Sequence, residues 1–173
     1  LSEAVVTSQL VAFPGRTMLV GTREGYVKFC ISILLTELHD FFFNVVPRQG
    51  TGSGSIIDSR GYILTNNHVI EDARKLEVTL ANGKKYNAKL IGSDPDSDIA
   101  VLKIDAPREQ LTVIPMGNSS ALKVGQKAIA IGNPFGLGQT LTTGVISSVG
   151  RTMRAANGTL VEDIVQTDAS INP

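Results

Sequence analysis

Few residues in this chain can move a proton near neutral pH, and the two histidines are among them. One, His68, stands in the stretch GYILTNNHVIED (61–72), just past an apolar run and inside a polar turn. Imidazole is the side chain whose ordinary pKa suits it to take a proton and give it back at that pH. About 30 residues later Asp98 heads another apolar segment, DPDSDIAVL, where a carboxylate at a strand head would come within reach of a ring at a strand end. In such a pair the carboxylate fixes the imidazole tautomer and stabilises the imidazolium formed when the ring takes a nucleophile's proton. Spacing by itself leaves a second reading open, a histidine hydrogen-bonded at a strand end for structural reasons alone.

Other chemistry-bearing residues read more plainly. His39, between Leu38 and Asp40, reads as a loop or partly buried structural residue. Cys30 is the single cysteine and cannot form an internal disulfide, which leaves the redox compartment open. Its apolar surroundings suit a small core residue better than a reactive thiol. With no Cys/His cluster at ligand spacing, a metal site is not expected. GNPFGLG (132–138) lacks the Lys-Ser/Thr ending of a phosphate loop and reads as a turn between strands. Asp94 and Asp96 read as solvated turn carboxylates.

The elements that must position His68 and Asp98 are short strands. The 173 residues carry 16 basic and 16 acidic side chains and are 42% hydrophobic, enough for a core and too balanced to favour nucleic acid or a membrane surface. Seventeen glycines, seven prolines and many short Val/Ile/Leu runs point to β-structure with frequent turns. GSIIDSRGYILTNNHV reads as strand, turn at 59–61, strand. KLEVTLANGKKYNAKLIGSD repeats the plan around Asn82-Gly83, a dipeptide suited to the positive φ of a tight hairpin. In the first of these strands Leu76, Val78 and Leu80 alternate with Glu77, Thr79 and Ala81. DIAVLKID follows, with Ile99, Val101 and Ile104 among its apolar positions. QKAIAIGNPFG, QTLTTGVISSVG and LVEDIVQTD supply three further strands, an arrangement that fits an antiparallel barrel or sandwich. Residues 26–46 are the most apolar segment, but Lys28, Glu37, His39 and Asp40 interrupt it, so it reads as core or interaction surface rather than a membrane span. The chain opens without the pattern of an export signal, which is expected to have been removed or never present.

Taken in series, GTGSGSIIDSRGYILTNNHVI, DPDSDIAVLKID, VGQKAIAIGNPFGLGQTLTTGVIS and IVQTDASINP closely resemble the Deg/HtrA family of trypsin-like serine proteases, over residues 49 to 173. The resemblance implies an all-β fold, a trypsin-like double β-barrel with residues 1–115 forming the first barrel and 116–173 the start of a second, incomplete one. Pro107 and Pro115 lie in the stretch joining the two. It further implies that His68 is the general base and Asp98 its orienting carboxylate. Val69 stands where digestive relatives carry a cysteine, as suits the disulfide-free branch. Residues 12–46 depart from the family pattern. After TDASINP the family continues into a Gly-Asn-Ser-Gly-Gly run that supplies the nucleophile and the oxyanion hole, and this sequence stops at Pro173. None of Ser119, Ser120, Ser147, Ser148 and Ser170 substitutes, so the chain as given is expected to be silent by itself. Ser170, Ile171 and Asn172 are implied as lining the primary specificity pocket. The parent is expected to be an ATP-independent, metal-free endopeptidase of protein quality control, cutting unfolded or misfolded polypeptides. It is expected to assemble as a trimer or larger homo-oligomer, with PDZ domains downstream, and to work outside the cytoplasm in a bacterial periplasm or cell envelope. A rival reading is a non-catalytic protease-like domain that binds peptides or partner proteins.

Overall fold

The computed structural model describes residues 4–7, 29–39, 45–132, 140–154 and 160–171, with side chains described from residue 52 onward except at 132, 140, 153 and 161. The strands are β1 (Ala4–Thr7), β2 (Phe29–His39), β3 (Val45–Gly52), β4 (Gly54–Asp58), β5 (Tyr62–Thr65), β6 (Ala73–Leu80), β7 (Lys85–Asp94), β8 (Ile99–Ile104), β9 (Lys127–Gly132), β10 (Thr140–Arg154) and β11 (Leu160–Thr167). One short helical turn, α1 (Asn67–Ile70), follows β5. Single 3-10 turns occupy Arg108–Gln110 and Ser119–Ala121 in the connection between β8 and β9.

These strands form a seven-stranded sheet in the order β3-β2-β6-β7-β8-β5-β4 and a four-stranded sheet in the order β1-β9-β10-β11. All pairings are antiparallel except β1 with β9. The all-β expectation therefore holds, but the expected double β-barrel is corrected: among the described residues neither sheet closes. In the larger sheet the two edges, β3 and β4, are successive stretches of one chain separated only by Ser53. Segments that follow end to end have no lateral positions from which to exchange hydrogen bonds, so the ladder stops at each. The smaller sheet has four strands, too few for the tilt and stagger that closure requires. Of the atypical segment 12–46, residues 29–39 form β2, between β3 and β6, and residue 45 opens β3; residues 12–28 and 40–44 lie outside the described residues.

Alternation along the strands builds two cores. Ile56, Ile63, Val78, Leu102, Ile104 and Ile114 are fully buried in the larger one. Each such side chain contributes about 1.5–3 kcal/mol by leaving water. In β8 the inward face is Ala100, Leu102 and Ile104, while Ile99 and Val101 are half-buried on the opposite face. The smaller core gathers Ala128, Ile146 and Val165, with Leu122 against it. The hairpin at Asn82-Gly83 differs from a two-residue turn. Gly83 N–H donates to the carbonyl of Leu80 at 2.9 Å, and only Gly83, at φ +80°, takes the left-handed conformation, which makes a type I turn with glycine in the following bulge position.

The β4–β5 turn is locked by charge. Arg60 donates from its backbone N–H (2.7 Å) and Nε (3.0 Å) to Asp58 Oδ1 and from Nη2 to Oδ2 at 2.8 Å. These bonds, the side-chain ones first, lower the Asp58 pKa from 3.8 to about 2. Because the folded value lies below the unfolded one, the contribution of this pair is fully present above pH 3.8 and is lost as pH falls through about 2. Arg60→Ala is expected to return the Asp58 midpoint, read by NMR titration of its carboxyl carbon, toward 3.8. An unchanged midpoint would show that the guanidinium is not its cause.

Candidate active site

The register between β5 and β8 brings the two sequence-identified residues together. Thr65 sits opposite Ala100 in that antiparallel ladder, so the chain leaving β5 at 66–68 lies beside the chain entering β8 at Asp98. Beneath it, Ile63, Leu64 and Thr65 are buried, and the Thr65 hydroxyl donates to the carbonyl of Ser53 at 2.8 Å. In α1, Ile70 is buried in the core. Two positions apart on a helix is about 200° of rotation, so anchoring Ile70 inward turns His68 outward.

Asp98 receives three side-chain hydrogen bonds. His68 backbone N–H donates to Oδ1 at 2.9 Å, His68 Nδ1 meets Oδ2 at 2.8 Å, and Asn66 Nδ2 donates to Oδ2 at 2.9 Å. An acceptor surrounded by donors is an ionised carboxylate, which accepts and cannot donate. In the neutral tautomer that donates to this carboxylate, the proton sits on Nδ1 and Nε2 carries the lone pair. The Asp98 side chain is 15% exposed and that of His68 47%, so the carboxylate is sheltered while the ring reaches solvent. Asp98 itself has φ +51°, a left-handed conformation uncommon for a side-chain-bearing residue, at the end of a turn in which its N–H donates to Pro95 O at 3.2 Å. Such a site can accept a proton at Nε2 and stabilise the resulting cation through Asp98.

The residues near the end of the chain form a separate cluster on the smaller sheet. Asp168 Oδ1 accepts from the backbone N–H of Val145 at 2.7 Å, the Thr167 hydroxyl donates to Val145 O at 2.8 Å, and the Thr142 hydroxyl donates to Ser170 O at 2.6 Å. Gly144 faces Asp168 Oδ1 and Ala169 so closely that a Cβ would collide with both. Ser170 is exposed and Ile171 half-buried; Asn172 lies outside the described residues. Ser147 and Ser148 lie in β10, and Ser119 and Ser120 in a 3-10 turn. Among the described residues no group of three or more His, Cys, Asp or Glu is placed to hold a metal ion.

Two contributors escape sequence reasoning. Asn66 is buried and donates to Asp98, although the residue type at that position signals only a helix cap. Gly52, at the end of β3, lies against the Val69 side chain. Nothing in the composition of either segment announces that contact.

A sheltered carboxylate thus orients an exposed imidazole at the end of an antiparallel strand, a geometry that can take and return a proton. Residues 52–173 match the trypsin-like peptidase domain family. The chain is 56% identical over 126 residues to Protease Do-like 1, chloroplastic, of Arabidopsis thaliana, covering 72% of this chain and 29% of that protein. It is 53% identical over 127 residues to the periplasmic pH-dependent serine endoprotease DegQ of Escherichia coli (strain K12), covering 73% and 27%. Among solved structures, the HtrA-type protease AlgW with tripeptide matches with a TM-score of 0.68 and 42% identity over 83% of this chain and 44% of that one. The chain belongs to the Deg/HtrA family of trypsin-like serine proteases. It spans less than a third of the length of these two curated relatives.

The contact between Gly52 and Val69 yields a test of how the His68 segment is held. A methyl group at Gly52 would overlap the Val69 side chain, so Gly52→Ala is expected to cost about 1–3 kcal/mol of stability by overpacking. Gly52→Ala combined with Val69→Ala should recover much of that loss, read by chemical denaturation. Simple additivity of the two substitutions would show that the contact is not the cause.

Proposed function

We propose that the parent protein is a serine endopeptidase in which His68 is the general base and Asp98 holds it in tautomer and orientation. The observation that carries this reading is the 2.8 Å contact from His68 Nδ1 to an Asp98 carboxylate already fixed by other donors. The nucleophile would be a serine following TDASINP, in the Gly-Asn-Ser-Gly-Gly run that the family pattern implies. As its Oγ attacks the scissile carbonyl, the hydroxyl proton passes to His68 Nε2, and Asp98 stabilises the imidazolium. The same proton then moves to the leaving amine, and a water molecule repeats the cycle to release the acyl group. His68→Ala in the full-length protein is expected to lower kcat by on the order of 10⁴-fold or more with the fold retained, and Asp98→Asn by a similar order. Near-normal casein cleavage by folded His68→Ala protein would overturn the assignment and favour a non-catalytic domain that binds peptides.

Substrate choice follows from the second cluster. Ser170, Ile171 and Asn172 are proposed to line the primary pocket. Asp168, two residues before Ser170, directs Oδ1 at the main-chain N–H of Val145 on β10, which supports a pocket that does not use this carboxylate as a counter-ion for Lys or Arg. Burying an unpaired cation is costly, so cleavage after small or medium aliphatic residues such as Val or Ala is expected. Product mapping by mass spectrometry checks this, and a dominant preference for Lys or Arg would refute it.

The biological setting is part of the same proposal. The relatives named as periplasmic endoproteases support work outside the cytoplasm, in a bacterial periplasm or cell envelope. Quality control of unfolded or misfolded polypeptides, assembly into trimers or larger homo-oligomers, and PDZ domains elsewhere in the parent are carried by family membership. A division of the chain near residue 115 is supported by its two cores, since Ile114 packs in the first and Leu122 against the second.

A further inference from the structure

Asn66 occupies the N-cap position of α1, where a short polar side chain ordinarily satisfies a free N–H of the first turn, yet its side chain makes no cap hydrogen bond. Instead Nδ2 donates to two oxygens of one residue, Asp98 O at 3.0 Å and Asp98 Oδ2 at 2.9 Å. Both partners are acceptors, so the amide nitrogen must be the end that faces them. Oδ1, on the other side, is buried and has no hydrogen-bond partner among the described residues. Asn66 as a whole is 2% exposed. The amide is thus committed through Nδ2 to Asp98 rather than to the helical turn it precedes.

We propose that Asn66 is a positioning residue for the acid–base pair, fixing the backbone and the carboxylate of Asp98 with a single amide group. A carboxylate turns about its last side-chain torsion with little preference. One hydrogen bond to Oδ2 would leave that rotation loosely set. A donor that bridges Oδ2 and the main-chain carbonyl of the same residue closes a ring, which fixes the carboxylate plane relative to the left-handed backbone at φ +51°. That plane aims Oδ2 at Nδ1 of His68. Asn66 touches neither substrate nor the reacting atoms, and acts only through Asp98.

This inference rests on the reading of His68 and Asp98 as the acid–base pair, and its test separates the two. In the full-length protein, Asn66→Leu keeps the branched heavy-atom shape of the side chain and removes the donor. Its kcat is expected to fall by about 10-fold to 100-fold while KM stays within about twofold, because misalignment affects the proton transfer and not peptide binding. The downfield proton resonance of the His68 Nδ1–H should shift or broaden, with a methyl spectrum that shows the parental fold retained. Asn66→Ser, whose hydroxyl is too short to bridge both oxygens, should give the same pattern and serves if the leucine variant does not fold. Parental kcat and an unmoved Nδ1 proton in either folded variant would overturn the inference. If His68→Ala also retained turnover, the acid–base reading itself would fall; if it were inactive, only the role of Asn66 would.

Discussion

An ionised carboxylate sheltered from water is the constraint around which this structure is arranged. Removing such a group from solvent carries a penalty of several kcal/mol unless donors replace the lost water. At Asp98 the replacement comes from one short stretch, Asn66 and His68, through two side-chain donors and one backbone N–H. Charge-assisted bonds of this kind are shorter and stronger than neutral ones, so they offset the penalty and also fix geometry. The imidazole is thus held by the carboxylate itself. It does not depend for its orientation on being packed, and nearly half of its side chain stays open to solvent.

That arrangement needs a stiff base, and the larger sheet supplies one. Strands β5 and β8, whose ends carry the pair, contribute Ile63, Ala100, Leu102 and Ile104 to the buried core. Ile114 returns from the connecting segment to donate its N–H to Ile56 O at 2.9 Å, covering β4 from the far side. The smaller sheet is differently made. Its core is short, and on β10 Leu141, Val145 and Val149 remain exposed. What organises its end is polar: threonine hydroxyls and the Asp168 carboxylate bind main-chain groups across β10 and the chain after β11.

Much of this was legible in the amino-acid sequence, because local rules decide it. The strands on either side of 59–61 and 81–84 follow from period-two alternation and turn residues, while the His68–Asp98 pair follows from the family resemblance, since spacing alone leaves a structural histidine open. Closure of the sheets was not legible. Whether β3 and β4 act as neighbours or as one bent path depends on sheet-wide geometry that no window of sequence contains. The Gly83 turn shows a finer limit, since Asn-Gly permits positive φ at both positions and the hairpin uses it at one. Asn66 shows another. Propensity reads an asparagine before a helix as a cap, and only the tertiary approach of Asp98 diverts its amide elsewhere.

The absence of closure bears on the site less than it does on the fold. Proton transfer between a base and its nucleophile is sensitive to displacements on the order of 1 Å. A barrel would set such distances through the sum of its strand tilts and staggers. Here the pair is set by one ladder, in which Thr65 faces Ala100, and by hydrogen bonds that span only the residues just beyond it. Errors in the far strands of an open sheet therefore do not accumulate at His68 and Asp98. The two edges of the larger sheet meet in sequence at Ser53, and the Ser53 carbonyl accepts from Thr65, the last residue of β5 before Asn66. The place where the sheet fails to close is thus tied by a buried hydrogen bond to the strand that leads into His68, which keeps the opening from loosening the pair.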